Sequence, residues 1–415
     1  MHLSPTLLLL SAAAALSSSS VGASHLEVSE VVEENTHSFD KRATVKCAVT
    51  ADCATAKTSY PRYGHRYCNR GVCSFRCNTG YVQSGSSACV KASTTTAAAS
   101  TSTTTTAGTR AATSPAATPK LRTTYQGSDF LDKFFFESGD DPTHGLVDYL
   151  TKEEAVSAGL ASVQSSGAVR LSIDRRARLA AGALRKSVRI SSLEQYDAGT
   201  LIIADIQHQP VGCGAWPAFW TFNYPWPQYG EIDVIEGVNA RTFNQMTLHT
   251  SAGCTRSGSL TGVGGEDTSC YAYGPSSGCT VFDYDPASYG AGFNAAGGGV
   301  YALMIAETGV SIWRWQRSNI PSDIINGAPR WRTWGTPAAQ WDGATCDTRT
   351  FIQKQMITFD ITACGDWAGL DSVWQDQWQS GACYPKYANC AAALRDPAAF
   401  GSAYFDVNYI KVYTV

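Results

Sequence analysis

Gly230-Glu231-Ile232-Asp233-Val234-Ile235-Glu236-Gly237 is the stretch from which the rest of this chain is read. In an extended strand successive side chains face opposite ways, so Glu231 and Asp233 share one face and Ile232 and Val234 the other. Strict alternation would send Glu236 to the apolar face. One extra residue at Ile235, a β-bulge, returns Glu236 to the carboxylate face and turns Ile235 toward a core. The bulge also shortens the path between the two glutamates, bringing them toward the roughly 5 to 5.5 Å carboxyl separation of a nucleophile working with an acid. Three carboxylates on one face cannot all ionise cheaply, so one holds its proton at a raised pKa while another stays anionic. A solvated acidic face or a calcium site would use the same oxygens. Trp216, Phe219, Trp220, Phe222 and Trp226 lie just upstream and wall the strand with apolar surface, which favours catalysis.

Working outward, short β-branched and aromatic runs divided by Gly, Pro, Asn and Asp recur at 168–173, 187–190, 199–206, 230–236, 245–250, 300–306, 310–317, 354–361 and 404–413. Regular short strands with few long helical periods predict an all-β sandwich or jelly roll. All 11 tryptophans follow residue 120. About half serve core or rim packing, and the remainder offer flat faces suited to pyranose rings. Gly274-Pro275-Ser276-Ser277-Gly278 matches the G-x-S-x-G elbow of serine hydrolases, but no apolar strand precedes it, so the match is read as a loop. HExxH, Walker A and dinucleotide fingerprints are absent and the histidines do not cluster, so no metal and no cofactor are expected.

The 415-residue chain carries a formal net charge of −3 and 16% charged residues, which gives no footprint for nucleic acid. Fourteen cysteines against 4 methionines point to an oxidising compartment and to disulfides. Residues 1–23 read as a signal peptide whose apolar core, 6–16, is too short to cross a bilayer. Secretion is therefore expected, with no membrane span or lipid anchor. Acidic residues 27–40 followed by Lys41-Arg42 read as a propeptide, 24–42, that starts the mature chain at Ala43. Residues 43–91 hold six cysteines, Cys47, Cys53, Cys68, Cys73, Cys77 and Cys89, and read as a small N-terminal disulfide-rich module. Seven Lys and Arg against Asp52 give this module +6, with five Tyr and Phe rings among the cations, a composition suited to binding cell-wall material. Residues 92–120, nearly all Ser, Thr, Ala and Pro, read as an O-glycosylated linker. The eight cysteines of residues 121–415 allow four bridges in 105 pairings.

Glu231-x-Asp233-x-x-Glu236, followed by Gly237-Val238-Asn239 and Met246-Thr247-Leu248-His249-Thr250, resembles glycoside hydrolase family 16, in particular the fungal laminarinase-like endo-1,3(4)-β-glucanases. The resemblance extends over 125–415. It includes Asp141-Pro142-Thr143-His144-Gly145, Ser187-Val188-Arg189-Ile190, Gly212-Cys213-Gly214-Ala215-Trp216-Pro217, Phe293-Asn294 and Cys364-Gly365-Asp366-Trp367-Ala368-Gly369. It implies a concanavalin A-like β-jelly-roll sandwich with an open cleft, acting as a monomer on β-glucan polysaccharide. It further implies Glu231 as nucleophile, Glu236 as general acid and then base, and Asp233 as the group tuning both. Arg189, Trp220 and Trp226 match glycone-side sugar contacts, and His249 and Trp367 match residues lining the cleft near the cut. Tyr229 is bulky where relatives often carry a small residue. A transglycosylase, or a glucan-binding lectin of the same fold, are the competing readings; the intact acids argue against the lectin.

Overall fold

The computed structural model describes residues 118–257, 263–265, 267–274 and 277–415, and, upstream, the backbone of four strands. Those four form two antiparallel hairpins, Gly64–Asn69 with Val72–Cys77 and Tyr81–Ser84 with Ala88–Lys91. The signal, propeptide and processing expectations lie outside the described residues, as do all of the linker before 118 and the cysteine side chains of the small module. The expected linker end at 120 falls inside a strand, Lys120–Tyr125.

Residues 120–415 build two eight-stranded sheets in which every pairing is antiparallel. The first runs Val263–Gly264, Cys279–Asp283, Asn244–His249, Glu231–Glu236, Ala215–Phe222, Met356–Ala363, Arg189–Ser192 and Phe134–Phe136. The second runs Ala339–Asp342, Gly309–Gln316, Gly299–Ala306, Thr200–His208, Tyr404–Thr414, Val169–Ser172 and Ala161–Val163, with Lys120–Tyr125 also on Tyr404–Thr414. Ile202, Ala204 and Ile206 of the second sheet share one core with Ile232, Val234, Met246 and Leu248 of the first. Phe359 and Phe405, one from each sheet, meet edge to face at 5.2 Å across that core. The all-β sandwich expected from strand spacing is what forms.

Eight of the nine expected strands are present, and the ninth is corrected. The run 187–190 is not one strand: Arg185–Ser187 pairs in parallel with Val147–Tyr149, while Arg189–Ser192 joins the first sheet. Ala215–Phe222 was not distinguishable as a strand by alternation, because nearly every residue in it is buried and no polar face marks the period. The outer face of the second sheet is also covered: Leu201, Ile203, Val300, Ala302 and Met304 pack under Trp313, with Trp315, Trp331 and Trp334 against the same cluster. Trp341 and Trp374 are fully buried in the main core, whereas Trp378 is 49% exposed.

The extra residue in the carboxylate strand is present. Asp233 faces Thr247 and Glu236 faces Gln245, so three steps on one strand match two on its neighbour; against Ala215–Phe222 the shift falls between Phe219 and Trp220. Val234 and Ile235 are consecutive and both fully buried in the core. A bulge leaves ladder groups unpaired, and buried Asn244 meets two of them. Its Nδ2 donates to the Val234 carbonyl (2.9 Å) and its Oδ1 accepts from the Glu236 N–H (3.1 Å).

The eight cysteines pair as Cys213–Cys383, Cys254–Cys346, Cys270–Cys279 and Cys364–Cys390. Two of these four bridges tie the helical segment after Cys364 to itself and to the start of the Ala215–Phe222 region.

Asn244→Ala orphans a buried N–H and a buried carbonyl at once, so it is expected to cost about 2 to 4 kcal/mol, at about 1 to 3 kcal/mol per unsatisfied group with partial relaxation. Urea unfolding measures it; a loss below about 0.5 kcal/mol would show that the bulge holds without its clamp.

Candidate active site

Glu231, Asp233 and Glu236 project from one face of one strand because the bulge sets their phase. Each carboxylate has its own partner. The indole N–H of Trp226 donates to Glu231 Oε2. Trp216 donates its indole N–H to Glu236 Oε1 at 2.8 Å. Asp233, 2% exposed, lies 3.0 Å through Oδ2 from His249 Nε2. His249 sits directly across from Glu231 in the register of the next strand. One donor atom from each of Glu231, Asp233 and His249 falls within 4.8 Å of the others, a spacing that metal ligands also show.

Burial divides the protons. It raises the Asp233 carboxyl well above its ordinary value, reinforced by the Glu231 charge and the hydrogen bond to Glu231. Burial likewise holds Glu236 well above its usual range, with the Asp233 charge adding and the Trp216 N–H opposing. One strand thus carries Glu231, met by the Trp226 N–H, and, beyond the bulge, a Glu236 carboxyl that burial biases toward its protonated form.

The five expected sugar contacts fall into three places. Trp226 packs on the cluster of Ala218, Trp220, Phe222 and Met356, with exposed Tyr273 edge-on to it at 5.6 Å. Trp220 and Arg189 lie deeper than open platforms would. Trp220 is 8% exposed, stacked on Phe222 at 4.4 Å and donating through Nε1 to Asp360 at 2.8 Å. Arg189 is 5% exposed, its guanidinium 5.0 Å from the Trp220 ring and ion-paired with Glu137 at 3.1 Å. Asp360, behind both, has its pKa pushed up to about 7 by burial against the pull of Arg189. At the other end Trp367 meets Trp216 edge to face at 5.6 Å, so it stands beside Glu236. His249 lies between the ends. Tyr229 is half-buried, with Lys354 Nζ 5.3 Å from its ring.

Sequence reasoning missed Asn244, Asp360, Glu137 and Tyr273. It also left unexplained the last glycine of the G-x-S-x-G match. Gly278 has φ +119°, and a Cβ there would stand 2.7 Å from His249 Nδ1 and 2.8 Å from the Leu248 carbonyl. Glycine is needed at 278 so that the loop can close over His249.

Residues 134–413 match the family model described as the XgeA-like, catalytic GH16 domain. A probable glycosidase of Schizosaccharomyces pombe is 40% identical over 304 residues, covering 72% of this chain and 70% of that protein. A probable endo-1,3(4)-β-glucanase of Aspergillus niger is 39% identical over 72% of this chain, which spans only 40% of that protein. Among solved structures, laminarinase 16A from Phanerochaete chrysosporium, with β-glucans in donor and acceptor sites, superposes with a TM-score of 0.65 at 36% identity. It covers 72% of this chain and 100% of that one. An elongating family 16 β-1,3-glucosyltransferase gives a TM-score of 0.65 at 40% identity over 71% of this chain and 100% of that one.

A carboxyl whose pKa is raised by folding stabilises the fold only while it is protonated, so its contribution is lost as pH climbs from the unfolded value, about 4.3, through the folded one. Glu236→Gln is therefore expected to unfold at a higher temperature than the parent at pH 8 and at the same temperature below about pH 4. Equal melting temperatures at both pH values would show that Glu236 does not hold its proton in the folded state.

Proposed function

Because this chain belongs to the XgeA-like family of glycoside hydrolase family 16 catalytic domains, we propose that it is an exported, retaining endo-β-1,3-glucanase that also accepts mixed β-1,3/1,4 glucans. The observation that supports the mechanism is the arrangement across the bulge: Glu231 receives the Trp226 indole N–H, and burial raises the pKa of the Glu236 carboxyl. The endo-1,3(4)-β-glucanase and laminarinase names of the relatives support the substrate class.

In the first half-reaction a Glu231 oxygen attacks the anomeric carbon as its bond to the leaving oxygen breaks, and Glu236 gives that oxygen its proton. Asp233 then holds the esterified Glu231 through the same hydrogen bond. In the second half-reaction Glu236, now ionised, takes a proton from water; the hydroxyl bonds to the anomeric carbon and Glu231 leaves as carboxylate. Trp226 and Tyr273 provide glycone-side stacking over the floor made by Trp220 and Arg189. His249 orients Asp233 and borders the cut. Trp367 stacks the acceptor sugar beside Glu236. The basic six-cysteine module would hold the enzyme on cell-wall material.

Transglycosylation is the second reading, favoured by the 40% identity to an elongating β-1,3-glucosyltransferase. A sugar hydroxyl would replace water in the second step, and every residue would keep its role.

Incubating the purified chain with laminarin and resolving products by mass tests both readings. Short oligosaccharides are expected from the parent, with Glu231→Ala slower by about 10³-fold or more and unchanged in affinity. Glu236→Ala is expected to lose about 10² to 10⁴-fold on laminarin and far less on an aryl β-glucoside, whose leaving group needs no proton. Lengthened products would select the transglycosylase, and binding without any product would sink the enzyme.

A further inference from the structure

A trail of rings leaves the acceptor end of the site and continues around the sandwich edge. It starts at Arg241, 2% exposed, whose Nη1 donates to Gln245, the residue across the register from Glu236. The Arg241 guanidinium lies 4.9 Å from the Trp367 ring, 4.5 Å from Phe243 and 5.5 Å from Trp378. Trp378 and Tyr284, 49% and 43% exposed, extend the line, with Tyr284 stacked on Phe282 at 5.6 Å. Tyr284 then lines a groove of about 560 Å³ where the two sheets meet. Across it stand Trp313 and Trp315 of the second sheet and Trp334 of the connection that follows their strand, Trp315 and Trp334 edge to face at 5.0 Å.

The groove is chemically specific. Its cation, Arg314, is matched by Asp283 and Asp285, each at 2.8 Å, so an anionic ligand meets two carboxylates and no free positive charge. Trp313 and Trp334 spend their indole N–H groups on Gly335 and Asp323. The Trp315 N–H makes no side-chain hydrogen bond among the described residues. Flat apolar faces, one available N–H donor and a charge-balanced Asp and Arg pair suit a neutral polyhydroxyl ligand. Continuity with Trp367 says which: the same polysaccharide that enters the cleft.

The geometry points to a second glucan-binding groove at Tyr284, Trp315 and Trp334, which holds the polymer many sugars beyond the bond being cut and gives preference for long chains over short ones. This rests on the glucanase reading above. Such a groove adds effective concentration at the cleft without new contacts at the reacting bond.

The full chain, its Trp315→Ala, Tyr284→Ala and Trp315→Phe variants are compared on laminaritetraose and on particulate β-1,3-glucan, with melting temperatures as a check on folding. Trp315→Ala and Tyr284→Ala are each expected to lose fivefold or more in rate on particles and to stay within twofold on the tetrasaccharide. Trp315→Phe, which keeps a ring, is expected to recover most of the particle rate. Equal loss on both substrates, no loss on particles, or no recovery by phenylalanine would overturn the groove. A parent inactive on both substrates would instead overturn the glucanase reading.

Discussion

Val234 and Ile235 enter the core one after the other, and the strand can do this only by giving up its alternation at that point. The same irregularity that seats two apolar side chains turns Glu236 to the face already occupied by Glu231 and Asp233. The hydrophobic core thereby fixes the phase of the acids, and Asn244 keeps the unpaired backbone of the irregularity from opening. Loss of either support would move Glu236 without touching it.

The acids are tuned by what surrounds them more than by each other. Two indole N–H groups, from Trp216 and Trp226, reach the two glutamates from opposite ends of the site, and Asp233 sits between with its proton held by burial. Burial raises the pKa of Glu236, and the Trp216 N–H opposes that rise. Toward Trp226, buried Arg189 is surrounded by Glu137, Asp360, Trp220 and Phe222. This network stabilises a floor whose charge balance changes near neutral pH, because Asp360 titrates at about 7.

The strands that alternate, or that carry β-branched runs, were legible in the sequence, and so was the bulge, because Glu236 falls out of phase with a clean polar face. Ala215–Phe222 was not, since burial on both faces erases the period and Pro217 argues against a central strand. Pro217 is tolerated because the pairing with Glu231–Glu236 ends at Ala218. Asn244 and Asp360 were illegible for a different reason: each acts through a register known only once strands are paired. Likewise nothing in the spacing of eight cysteines chooses among 105 pairings. Arg189 and Trp220 were read as sugar contacts, and the fold buries both.

The disulfide pattern has a bearing on durability. Cys364–Cys390 closes residues 364–390 into a covalent ring, and Cys383 inside that ring is fastened to Cys213. A protease that cuts anywhere within the ring opens it without releasing either end, so the segment bearing Trp367, Trp378 and Gln379 stays attached after a single nick. Shedding that segment would take a second cut, or thiols as well as the first.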